Sequence, residues 1–152
     1  MGDASSSEAQ SMDRRRFLVA LAGMTALPRL ARADAEPLRI RALYDKGFVF
    51  SSAAEALDGD RVAFRGFMAP PLKAESTFFV LTARPMAVCP FCESEAQWPD
   101  DILAVYAKRV VDVIPFNIEI VARGRLELGT FKDPETGFVS RVRIVDATFE
   151  RV

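Results

Sequence analysis

Arg61-Val62-Ala63-Phe64-Arg65-Gly66-Phe67-Met68-Ala69 sets Val62, Phe64 and Met68 on one side of an extended chain and Arg61 and Arg65 on the other. That is the pattern of a strand with one face on a core and one in water. Gly66 interrupts it where a bulge or sharp bend belongs, and Pro70-Pro71 ends it. The next apolar run, Thr77 to Ala83 (TFFVLTA), follows closely enough to make a hairpin. Asp101 to Ala107 reads as a third strand or a short helix. Phe116 to Leu128 (FNIEIVARGRLEL) reads as a long strand bent near Gly124. Asp133-Pro134-Glu135-Thr136-Gly137 is a turn, and Val139 to Val152 a last strand in which Val142 and Ile144 oppose Arg141 and Arg143.

Upstream, Glu36 to Asp45 fits a short helix or an edge segment. Ser51 to Leu57 fits a short helix capped by Ser51 or Ser52, with Glu55 three residues after Ser52 as in a capping box. The expected fold is therefore mainly β. Glycine bends inside two of about five strands allow a small sheet to curl and close, so a five-stranded OB-like barrel with one or two short helices is predicted, with an open sandwich as the alternative.

The 152 residues, half of them hydrophobic, suffice for one domain with a core. There is no histidine. This counts against a typical zinc site, a Ser-His-Asp hydrolase and a histidine-ligated haem.

The N-terminus has its own logic. Met12-Asp13-Arg14-Arg15-Arg16-Phe17-Leu18 resembles the twin-arginine export signal, with Arg14 and Arg15 as the pair, Arg16 as the variable position, and Phe17 and Leu18 completing it. The apolar run Phe17 to Leu27 is shorter than the ~20 residues that a spanning helix needs. Pro28 breaks it, and Ala33-Asp34-Ala35 offers an A-x-A cleavage site. The resemblance implies a signal over residues 1–35, a mature domain over 36–152, and periplasmic or otherwise exported localisation with only transient membrane contact. Removing 1–35 leaves 15 basic and 17 acidic side chains. That balance gives no general attraction to nucleic acid, and none is expected as a partner.

Leu57-Asp58-Gly59-Asp60-Arg61-Val62, Gly66-Phe67-Met68-Ala69-Pro70 and Phe79-Val80-Leu81, followed by a cysteine-containing loop, resemble a group of small exported bacterial proteins of unknown function with an OB-like barrel. Some of these are associated with ABC transporters. The likeness covers about Ala42 to Val152. It implies the fold, and an envelope partner such as a transporter component.

The chemical candidate is Met86-Ala87-Val88-Cys89-Pro90-Phe91-Cys92-Glu93, which holds both cysteines of the chain. A structural disulfide between Cys89 and Cys92 is the first reading. An exported protein matures in an oxidising compartment, and the bond would tie down the long segment from Arg84 to Pro99. Thiol–disulfide exchange is the second, because CPFC resembles glutaredoxin-like active sites. Against it, Pro99 leaves under two turns of helix after Cys92, and Glu93 and Glu95 would raise a thiol's pKa. Copper(I) is the third, with Met86, Cys89, Cys92 and Met68 as a soft sulfur set. The leading expectation carries no cofactor and no catalytic residue: an exported binding or accessory protein. Trp98 and Phe91 are core cover or part of a partner patch. The arginines at 123, 125, 141 and 143 are a solvated face balanced by Glu119 and Glu127 rather than a nucleic-acid stripe.

Overall fold

The computed structural model describes residues 36–71, 73, 75–87 and 98–152. The export signal (Arg14, Arg15, Phe17, Leu18, Ala33 and Ala35) and the cysteines Cys89 and Cys92 lie outside the described residues.

The fold is mainly β. The strands are β1 (Leu38–Arg39), β2 (Arg61–Met68), β3 (Phe78–Thr82), β4 (Ile102–Ala107), β5 (Glu119–Lys132) and β6 (Val139–Arg151). A 3₁₀ turn (Ile40–Leu43) and one short helix, α1 (Ser52–Ala56), are the helical elements described. The five long strands fall in the five expected stretches, although β5 starts three residues later and runs four residues further than Phe116 to Leu128, and Asp101 to Ala107 resolves as a strand rather than a helix. Glu36 to Asp45 divides between the two expectations: a two-residue edge strand parallel to β2, then the 3₁₀ turn.

The strands form one six-stranded sheet in the order β1-β2-β3-β4-β6-β5, and β2 also pairs with β5. Pairing therefore runs β2-β3-β4-β6-β5 and returns to β2, with β1 as an appended edge. All pairs in this circuit are antiparallel except β4–β6.

Two glycines allow neighbouring backbones to approach. A Cβ on Gly66 would lie 2.6 Å from the Thr82 carbonyl oxygen, and one on Gly124 would lie 2.7 Å from that of Val145. Opposite Gly124, β6 carries one extra residue: Arg123 and Arg125 pair with Thr148 and Val145. The extra length is taken up around Asp146, in the left-handed region at φ 50°. Short polar side chains tolerate this conformation best. The β4–β6 register slips at the same place, so one bulge bends β6 against both neighbours.

The main core is built from alternate positions: Val62, Phe64 and Met68 of β2, Phe79 and Leu81 of β3, Leu103 and Val105 of β4, Ile120, Ala122 and Leu126 of β5, Val142 and Ile144 of β6. Every residue of β3 is buried, because a second cluster covers its other face. There Phe78 and Val80 meet Ile102, Ala104 and Phe138, with Trp98 and Tyr106 alongside. Phe138 is delivered by the β5–β6 turn, which Asp133 organises. Its carboxylate accepts the backbone N–H groups of Glu135 and Thr136 and the Thr136 hydroxyl. Burial works to raise the Asp133 pKa, and these bonds outweigh it, so the carboxyl stays below the ordinary range.

Helix α1 starts at Ser51, whose Oγ accepts the Ala54 N–H and donates to the Ala42 carbonyl. Ser51, not Ser52, is the cap, and this moves Glu55 one place past the position a capping box requires.

Candidate functional site

Four stretches of chain meet at one concave site of about 730 Å³. The first is the 3₁₀ turn, which contributes Arg41. After it, Tyr44 and Phe50 pair across a tight turn, their rings stacked at 5.3 Å. Gly47 and Phe48 both take positive φ in that turn, at 85° and 61°. For a bulky side chain this is an outlier costing about 1–2 kcal/mol. It holds the Phe48 ring at the rim of the cleft, 51% exposed.

The second and third stretches are the described ends of the segment that carries the cysteines. Arg84 follows β3, and Trp98-Pro99-Asp100-Asp101 leads into β4; all five residues line the cleft. Asp101 is buried and meets Arg84 at 3.0 Å. The Asp100-Asp101 pair occupies the turn into β4. Trp98 packs against both hydrophobic clusters and donates its indole N–H to the Tyr44 hydroxyl at 2.9 Å. It is thus core cover and cleft wall at once.

The fourth stretch is the start of β6. Arg141 lines the cleft with its guanidinium 5.7 Å from the Phe50 ring centre. Its neighbour in the stripe, Arg143, is differently engaged. It bonds Glu127 and the Gly129 carbonyl and lies over Phe131. Arg123 pairs with Glu150, Arg125 with Glu127 and Arg65 with Glu119. The stripe is a charge-balanced surface, apart from Arg141, which pairs with no carboxylate among the described residues.

Burial raises the Tyr44 pKa. The Trp98 N–H and the Arg141 charge oppose that rise, and Asp100 adds to it. The hydroxyl is a neutral hydrogen-bonding group throughout the physiological range. The cleft therefore offers three arginines, the aromatic surfaces of Phe48 and Trp98, and two aspartates, one of them paired with Arg84; Tyr44 supports its wall from behind through Trp98.

Of the four sulfur candidates, Met68 and Met86 are among the described residues. Met68 is 1% exposed in the main core, and its sulfur accepts the Ile114 N–H at 3.4 Å. Met86 is half-buried on the chain leaving β3. No group of three or more Cys, Asp or Glu side chains with metal-binding geometry occurs among the described residues. Arg41 and Phe48 had no periodic signal to single them out. The only local hint was the Asp45-Lys46-Gly47 turn composition before an apolar residue.

No family profile matches the chain, and no curated protein matches it. Among solved structures it is similar to a DUF3299 family protein from Pseudomonas aeruginosa PAO1, at 16% identity and a TM-score of 0.45. The likeness covers 64% of this chain and 64% of that protein, so the chain spans less than two thirds of its length.

Proposed function

We propose that this protein is an exported, non-enzymatic binding or accessory protein of the bacterial envelope, built as an OB-type barrel. It holds its partner at the Arg41–Phe48–Trp98–Arg141 cleft. The partner is an envelope protein such as a transporter component, and Cys89 and Cys92 form a disulfide. One observation carries the binding role: Phe48 is kept exposed in a strained backbone conformation at the mouth of a cleft flanked by Arg41 and Arg141, which pair with no carboxylate among the described residues. Strain of this kind persists where a function uses it. The closed pairing circuit with a single parallel pair supports the barrel.

The test has three readouts. Fractionation should find the chain in the periplasm, and Arg14→Lys/Arg15→Lys should strand it in the cytoplasm. Intact mass should show two hydrogens fewer than the reduced chain. In a deletion strain, Phe48→Asp should fail to restore function while Cys89→Ser/Cys92→Ser still restores it. The opposite pattern, with loss in the double serine variant only, would replace binding by thiol or copper(I) chemistry at the CPFC segment.

A further inference from the structure

A second hollow of about 400 Å³ adjoins the cleft and shares Arg41 and Arg84 with it. Together they expose five arginines: 39, 41, 65, 84 and 141. Two are neutralised within the surface, Arg65 by Glu119 at 3.9 Å and Arg84 by Asp101. Arg39, Arg41 and Arg141 pair with no carboxylate among the described residues; Asp100 also lines the first hollow, so five arginines stand there against three carboxylates, Glu119, Asp100 and Asp101. This surplus of cations stands on a chain whose formal net charge is −1, so it is a local feature and not a reflection of composition.

We propose that the two hollows are one docking groove for an acidic, extended segment of a partner protein, with an apolar side chain of that segment seated against Phe48 and Trp98. This rests on the binding role proposed above and specifies its ligand. Charge complementarity commits the occupant to carboxylates, which the planar guanidinium fork grips in bidentate fashion. The two hollows lie side by side, and a chain can fill both where a compact ion fills one. Arg and Trp, which line the concavity, are also among the side chains that dominate protein–protein affinity. A bilayer is flat and would touch only the rim.

The experiment is an array of synthetic 16-residue peptides of graded Glu and Asp content, each with one Phe or Leu, probed with the purified full-length chain. Affinities are then measured through Trp98, the single tryptophan of the chain. Binding should rise with acid content and weaken with added salt. Arg41→Glu and Arg141→Glu should each weaken it about tenfold or more, with unchanged circular dichroism, while Arg109→Glu, outside the groove, has no effect. The inference falls if no peptide binds, if acid content makes no difference, or if the reversals change nothing. Equal or tighter binding to phosphatidylglycerol vesicles at the same salt would overturn it in favour of a membrane surface. If the peptides fail while Phe48→Asp still abolishes function in cells, the binding role stands and the acidic partner is wrong.

Discussion

Trp98 and Tyr44, 54 residues apart in the chain, are joined by a hydrogen bond from the indole N–H to the phenol oxygen. The bond fastens the end of the β3–β4 connection to the turn that presents Phe48. Trp98→Phe keeps most of the packing and removes the donor, which should cost about 1 kcal/mol of stability. It should also raise the Tyr44 pKa further, since the lost bond favours the phenolate. A urea melt and an absorbance titration check the two effects.

Both tyrosines of the chain hold their protons above the ordinary phenol range. For Tyr106 the causes are burial first and then the nearby Asp133 carboxylate; its hydroxyl meets no hydrogen-bond partner in bonding geometry among the described residues. Native protein should therefore show no tyrosinate step near pH 10, where the unfolded chain titrates. A raised folded pKa means that the unfolded state loses its protons first. The tyrosine contribution to stability should be constant below about pH 10 and fall as pH rises from there through the folded values. A native step at pH 10 would contradict the burial of both rings.

Gly66→Ala and Gly124→Ala should each destabilise by about 2–3 kcal/mol. In both, the new methyl group meets a backbone carbonyl, and an opposing strand cannot turn away as a side chain would. Equilibrium unfolding checks this, and a loss under 0.5 kcal/mol in either variant would mean that the strands sit further apart there.

Asp133→Ala should cost about 2 kcal/mol, since three donors lose their acceptor. The depressed Asp133 pKa gives the sign with pH. Its stabilisation is present above the unfolded value near 4 and is lost as pH falls through the lower folded value. The variant should therefore show a shallower acid limb than the parent, and acid titrations of stability distinguish them.

Ser51→Ala should cost about 1–2 kcal/mol, more than a cap alone, because Ser51 Oγ also ties the helix start to Ala42. Thermal melts against Ser52→Ala, expected to be near neutral, separate the two serines.

Much of the fold was legible because alternation is a local signal. Val62, Phe64 and Met68, or Val142 and Ile144, declare their face within a few residues. The second cluster was not legible: Thr77 to Ala83 announces burial on both sides, but nothing nearby says that Phe138 supplies the cover. The cleft was the least visible. Arg41, Phe48, Arg84, Trp98 and Arg141 come from four segments and share no period. Arg141 and Arg143 look alike in sequence, and only the placement of Glu127 separates the neutralised one from the other. The choice between Ser51 and Ser52 turned on which backbone leaves the extended region, which adjacent serines do not reveal.

Strand β6 has a consequence in time. It is the partner of both β4 and β5, so the circuit of strands cannot close until the chain has been made through Arg151. Before that, β2, β3 and β4 can pair in sequence, while β4 keeps an open edge. Closure then joins segments far apart in the chain, a slow kind of step. During synthesis the molecule must pass through a state with an unpaired apolar edge. An exposed strand edge of that kind is a template for wrong pairing until β6 arrives.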